Sequence, residues 1–287
     1  MAGPDDPLLA GLVDDAALFP PGNAEMADAL REHDARKDQP CSGAVGAFVC
    51  PAARVGELLA TRRQHQAVLV SLVVDPAVPG VYDAVRAADS AAGVVVIGIE
   101  APLAALGEAG ARVLAEDLLR FERGGGPHLG FLEVPRDASD SALDLVGTSG
   151  WHAAKYRTGG VTAAAHPSEA ELAHFVVGCE ERRLRFKLTA GLYHAVRTTT
   201  TEGFEQHGVL NVMVGVSLAR HGADRARVAE VLAERDSAML AKEVRSWTKA
   251  EGKAVRGRFL SLGCCGVEEP LDELRALGVL EDERAIW

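Results

Sequence analysis

Seven short runs of β-branched and apolar residues recur along this 287-residue chain, separated by longer stretches whose apolar positions repeat every three to four residues. This alternation constrains the fold more than any other feature. Two parallel strands cannot be joined by a tight turn and need a crossover, usually a helix, so strand and helix in alternation predict a parallel sheet. The runs are GAFVC (46–50), VLVSLVV (68–74), VVVIGIE (94–100), HLGFLEV (128–134), HAAKYRT (152–158), RFKLTAG (185–191) and RFLSLG (258–263). The stretch SEAELAHFVVGCEERR shows the helical part of the pattern. Leu172, Phe175, Val176 and Cys179 fall on one face, and Ser168 with Glu171 forms a capping box at its start. Between 191 and 258 the pattern is mainly helical, and GVLNVMVGV within it reads equally as an eighth strand at 209–216 or as a buried helix. An eighth strand there completes a closed barrel. The expected fold is therefore α/β, a (β/α)8 TIM barrel in a single domain of 41–287, with residues 1–40 as an N-terminal extension packing on it; such barrels commonly reach ~250 residues.

Composition narrows the function classes. With 30 Lys+Arg against 41 Asp+Glu the formal net charge is −11, a field that repels nucleic acid and anionic membranes. The longest apolar runs fall far short of the ~20 residues of a membrane span, and the acidic N-terminus lacks the cationic and apolar regions of a signal peptide. A cytoplasmic protein acting on a small molecule is expected, with no nucleic-acid or membrane partner; the sequence leaves a homo-oligomer open. Five cysteines show no CxxC pair, and the histidines show no HxH or HExxH spacing, so reduced thiols and no metal site are expected.

The candidate chemistry lies in two of the strands. Alternate side chains of a strand face the same way, so Lys155 shares a face with Arg157, and Lys187 shares one with Arg185 and Thr189. If both strands belong to a barrel, these residues stand near the C-terminal strand ends, where barrel enzymes carry their sites. Two lysines in a water-poor site repel each other, and both burial and like charge favour the neutral, nucleophilic amine. That arrangement suits a Schiff base with a carbonyl compound: Lys155 attacks and Lys187 lowers its pKa. Glu100 or Glu133 would move protons, and Arg157 or Arg197 would hold an anionic substituent. Thr158 and Thr189, at the ends of the same strands, are candidate substrate contacts, with His194 as a proton shuttle. Of the adjacent pair Asp14 and Asp15, Asp15 is the preferred substrate-binding candidate because it stands nearer the apolar run ALF. The structural alternative is that each lysine merely pairs with an inward carboxylate such as Glu100 or Glu133.

These residues also carry a resemblance. K-Y-R-T-G-G, followed 32 positions later by F-K-L-T-A-G-L, is similar to the paired motifs of the deoxyribose-phosphate aldolase family. In that family a Lys-x-x-Thr-Gly strand end bears the Schiff-base lysine and a Val-Lys-x-x-Gly-Gly strand end bears a second lysine that tunes it. GAFVCPAARV resembles the family's early Val-Cys-Val-x-Pro strand, and RFLSLGCCG its closing Arg-Phe-Gly-x-Ser-Ser strand. The resemblance implies a (β/α)8 barrel, Lys155 as the Schiff-base lysine and Lys187 as its partner. Two positions depart from the family. Its middle-strand aspartate is matched only by Glu100 in IEAP, and its phosphate-cradling serine pair is replaced by Cys264 and Cys265. The expected function is a class I lyase of the aldolase kind, acting on a small carbonyl compound, sugar-derived in the family, and needing no cofactor because the iminium is the electron sink. Two alternatives stand beside it. One is a barrel isomerase or phosphate-ester enzyme whose lysines only bind anionic oxygens; the other is a non-catalytic binding barrel with both lysines salt-bridged.

Overall fold

In the computed structural model, which describes residues 7–40, 42–63, 67–123 and 129–280, the strands run parallel and close on themselves. They are β1 (Val13–Asp15), β2 (Val45–Pro51), β3 (Val68–Val73), β4 (Val94–Pro102), β5 (Leu129–Glu133), β6 (Ala153–Arg157), β7 (Arg185–Thr189) and β10 (Phe259–Cys264). A small antiparallel ribbon, β8 (Thr198–Thr199) with β9 (Glu205–Gln206), lies between the last two. Neighbours follow the order β1-β10-β7-β6-β5-β4-β3-β2, and β1 also pairs with β2, so the sheet has no free edge. The protein is a single-domain (β/α)8 TIM barrel. All seven apolar runs of the sequence are barrel strands.

The eighth strand is not where the valines suggest. Residues 209–216 belong to the helix Val209–Arg220, in which every residue from Val209 to Ser217 is buried. A helix apolar on all sides has no amphipathic period, so its β-branched residues imitate a strand. The barrel closes instead through β1, so Val13–Asp15, within the segment expected as an extension, form a barrel strand. Val13 pairs with Leu262 and Asp15 with Cys264 on one side, and Val13 with Val45 and Asp15 with Phe48 on the other. Three residues, two of them aspartates, offer no apolar run to read.

The main apolar core lies between the barrel and its outer helices. Along β6, Ala154 and Tyr156 point outward, and the Tyr156 ring stacks on Phe175 of the helix Glu169–Glu181 at 4.5 Å. Phe175 meets Phe186 of β7 at 5.2 Å, and Phe186 meets Phe259 of β10 at 5.6 Å, so one aromatic row ties three strands to a helix. The Tyr156 hydroxyl donates to the Arg136 carbonyl at 2.6 Å, satisfying its one polar group. The helix Glu169–Glu181 starts on the capping box of Ser168 and Glu171.

Inside the barrel, small residues make room for large polar ones. A Cβ on Gly46 would stand 2.1 Å from Asp14 Oδ1, and one on Gly98 would stand 2.6 Å from Ser71 Oγ and 3.2 Å from the Phe131 ring. Glycine at these two strand positions is what admits Asp14, Ser71 and Phe131 to the interior. Among the described residues, no helix is long and apolar enough to cross a membrane. Cys50, Cys179, Cys264 and Cys265 are free thiols. Cys41, His65, His128 and the GGGP stretch at 124–127 lie outside the described residues.

Candidate active site

Parallel pairing puts the two lysines side by side. Lys155 of β6 pairs in register with Lys187 of β7, Glu133 of β5 with Lys155, and Ser261 of β10 with Lys187, so these four side chains enter the barrel at one level. Glu100, near the end of β4, bridges the lysines. Its Oε2 lies 2.8 Å from Lys155 Nζ and its Oε1 lies 2.6 Å from Lys187 Nζ. Each ammonium has a second carboxylate: Glu133 Oε2 at 3.0 Å for Lys155, and Asp14 Oδ2 at 2.7 Å for Lys187. Two hydroxyls complete the set, with Ser71 Oγ donating to Glu100 at 2.6 Å and Ser261 Oγ to Asp14 at 2.7 Å. The Ala47 amide donates to Asp14 Oδ1 at 2.7 Å, and Lys187 Nζ sits 5.5 Å from the Phe131 ring centroid.

The electrostatics follow from this geometry. Burial alone would push the Glu100 carboxyl up, but two ammonium groups in direct contact hold it well below the ordinary carboxylate range. Burial opposes the charge on Lys187, yet Asp14 and Glu100 outweigh it and keep the ammonium protonated far above its usual limit. Glu133, also opposed by burial, is held low by Lys155 and then by Arg157. Burial and like charge, expected to favour a neutral amine, do not prevail at Lys187. Like-charge repulsion is overcome because each lysine has a carboxylate on two sides.

Above this layer a cavity of ≈ 490 Å³ opens at the C-terminal strand ends. Glu100, Glu133, Lys155 and Arg157 line it, together with Thr189, Tyr193 and Cys265; Lys187 lies beneath, only 1% exposed. The two glycine-bearing turns wall one side and touch backbone to backbone. A Cβ on Gly159 would meet the Ala190 carbonyl at 2.9 Å, and one on Gly191 would meet the Thr158 carbonyl at 2.8 Å. Ala190, Gly191 and Leu192 all take positive φ, so the chain turns sharply away directly after Thr189.

The chain matches no protein-family model and no curated protein.

Of the residues singled out from the sequence, Lys155, Lys187, Glu100 and Glu133 form one connected cluster, and Arg157 joins it at the rim, 3.4 Å from Glu133. Thr189 lines the cavity, whereas the Thr158 hydroxyl is turned into the wall and donates to the Ala190 carbonyl at 2.9 Å. Three other candidates lie elsewhere. His194 Nδ1 is 2.6 Å from Glu273 Oε1, outside the cavity lining. Arg197 is buried between Glu169 and Glu205, its amide donating to Asn211 Oδ1, and it lies outside the cavity lining. Asp15 points outward, where it pairs with Arg36 Nη1 at 2.7 Å and His33 Nδ1 at 3.0 Å.

Its neighbour Asp14 is the aspartate of the site. Adjacent strand residues face opposite ways, so choosing between the two amounts to choosing a register, which proximity to ALF does not set. Ser71, Ser261, Phe131 and Tyr193 are further site residues that sequence reasoning did not single out, and Cys265, noted there only as a departure from the family's serine pair, borders the cavity with Tyr193. The first three sit at alternate positions of recognised strands and could have been found by placing each strand's inward face. Tyr193 and Cys265 lie on turns, and their hydroxyl and thiol meet at 3.3 Å across the cavity wall. Burial and then the thiol contact push the Tyr193 hydroxyl far above its ordinary value, so it remains a neutral donor. Cys264, at the end of β10 and outside the cavity lining, donates its thiol to the Gly266 carbonyl at 2.9 Å. Among the described residues, no group of three or more His, Cys, Asp or Glu side chains could hold a metal ion.

Proposed function

We propose that this barrel is an enzyme that forms a Schiff base between Lys155 and a small carbonyl compound and makes or breaks a carbon–carbon bond beside it, a class I lyase of the aldolase kind. One observation carries the reading: Glu100 is shared by two buried lysines, of which only Lys155 borders the cavity. The similarity of the Lys155 and Lys187 motifs to those of the deoxyribose-phosphate aldolase family points the same way.

The residues divide the work by exposure. An ammonium cannot attack a carbonyl, so Lys155 must first release a proton. Glu133, at 3.0 Å and with 20% of its side chain exposed, is the acceptor in contact with water. Glu100 is fully enclosed between two cations and stays ionised, and Lys187 stays protonated on Asp14 and Glu100. The neutral Nζ of Lys155 adds to the carbonyl carbon, the oxygen takes up the proton from Glu133, and water leaves to give the iminium. In a β-hydroxy compound the bond between the α and β carbons then breaks. Its electron pair enters the iminium to form an enamine, while the hydroxyl proton passes to a carboxylate and an aldehyde departs. Protonation of the enamine carbon and hydrolysis by water regenerate Lys155.

The alternative in which the lysines bind only anionic oxygens is less well supported, because each ammonium already contacts two carboxylates. A non-catalytic barrel remains the second reading, since both lysines are salt-bridged as it requires. Against it stands the cost of the arrangement. Buried ion pairs are often no more stabilising than apolar residues of similar volume, and here they are placed under an open cavity. The deciding test is borohydride trapping with a panel of aldehydes and ketones, followed by intact-mass and peptide mapping. The expected result is an adduct on Lys155 that is absent from folded Lys155→Arg, which keeps the charge but loses the nucleophile. Folded wild-type protein that gives no adduct with any carbonyl would overturn the proposal in favour of a non-catalytic barrel.

A further inference from the structure

We infer that the carbonyl compound taken by this cavity is uncharged, carrying neither phosphate nor carboxylate, and that it bears an apolar chain or ring. The inference rests on the Schiff-base reading of Lys155 and adds to it the class of substrate. Three independent features of the cavity support it.

The first is charge. Among the described lining residues, Asp75, Glu100 and Glu133 face only Lys155 and Arg157. Adding the buried Lys187 with its partner Asp14 leaves the carboxylates in excess by one. Each lysine is already in contact with two carboxylates, and Arg157, half-exposed at the rim, lies 3.4 Å from Glu133. An entering anion would find no unpaired cation among the described lining residues and would meet a net negative wall.

The second is the turn after β10. In barrels of this kind, phosphate is frequently held by the loops after the last two strands and by the start of a following helix. Here the helix Glu268–Ala276 begins with two consecutive glutamates. The Glu269 carboxylate is packed on the Gly266 backbone, its Oε2 2.0 Å from where a Cβ would stand. Glu268 is paired with Arg36 at 2.6 Å. The start of this helix therefore carries two carboxylates, which disfavour a phosphate there. The polar groups that do reach the cavity from these turns, the Tyr193 hydroxyl and the Cys265 thiol, suit a neutral partner such as a substrate hydroxyl.

The third is the shape and character of the mouth. Phe19, Pro20, Val49, Val74, Pro102 and Val161 contribute apolar surface to the lining. At ≈ 490 Å³ the cavity has room for on the order of fifteen water-sized groups, far more than a two- or three-carbon aldehyde fills. With these apolar side chains in the lining, the surplus volume is best filled by a hydrocarbon chain or an aromatic ring.

The test compares borohydride-trapped adduct on Lys155 across carbonyl compounds of similar reactivity: hexanal and phenylacetaldehyde as neutral apolar probes, succinic semialdehyde and glyceraldehyde 3-phosphate as anionic ones. Half-maximal trapping is expected at about tenfold lower concentration for the apolar pair. Placing a cation at the exposed rim with Val161→Arg should narrow that ratio. Equal or tighter trapping of the anionic pair by the wild-type protein would overturn the inference while leaving the Schiff-base reading intact. Absence of adduct with all four compounds would overturn both.

Discussion

Replacing Glu100 by glutamine tests the electrostatic centre of this barrel directly. The amide keeps the size of the side chain but carries no charge, and it can accept from only one lysine while turning its own donor toward the other. Lys155 would retain Glu133 at 3.0 Å and Lys187 would retain Asp14 at 2.7 Å, so neither cation is stranded. Breaking a buried ion pair costs about 3–5 kcal/mol, and the surviving partners put Glu100→Gln near the lower end, about 3 kcal/mol. For a chain of this size that corresponds to a fall in Tm of roughly 6–12 °C. Ser71→Ala, which removes one neutral donor from the same carboxylate, should cost only about 1 kcal/mol. The pH dependence has a fixed sign. Because the folded-state pKa of Glu100 is depressed, its contribution is complete above the ordinary carboxylate value of 4.5 and disappears as the pH falls through the lower folded value. Urea unfolding of wild type and variant across this range is the assay. A difference under about 1 kcal/mol at neutral pH, or one that does not shrink on the acid side of 4.5, would refute the bridging role assigned to Glu100.

Two further outcomes follow from the same interior. Asp15→Asn, which removes the charge facing Arg36 and His33 on the outer side of β1, should lower stability by about 3 kcal/mol and leave Lys155 trapping unchanged; loss of trapping at unchanged stability would return Asp15 to the site. Gly98→Ala puts a methyl 2.6 Å from Ser71 Oγ and should cost about 1–3 kcal/mol in thermal unfolding, since the hydroxyl must leave Glu100 to make space; a neutral result would mean the barrel interior is looser than its contacts require.

Much of this was legible in the residues. The seven strands that are apolar along their length stood out because a strand covered by helices on one side and by the barrel interior on the other must be nearly continuous in Val, Ile, Leu and Phe. The lysines stood out for the opposite reason, as charges placed where such a run allows none. The capping box at Ser168 marked its helix because it uses only local contacts. What failed were elements whose identity depends on surroundings. The helix Val209–Arg220 is enclosed on all sides and so lost the periodicity that would name it. Strand β1 is too short and too acidic to stand out, and it is held by pairing with residues more than 200 positions later.

The sequence by itself determined the alternation of strands and helices, the presence of two inward lysines and the faces on which they lie, because side-chain period and backbone propensity are local properties. Only the tertiary structure decided which carboxylates meet them. Asp14, Glu100 and Glu133 come from three separate strands, and closure of the barrel through β1 brings Asp14 within 2.7 Å of Lys187, 173 residues away. Local rules cannot select between Asp14 and Asp15, which differ by one step of register, yet that step separates a residue of the site from one buried beneath Arg36.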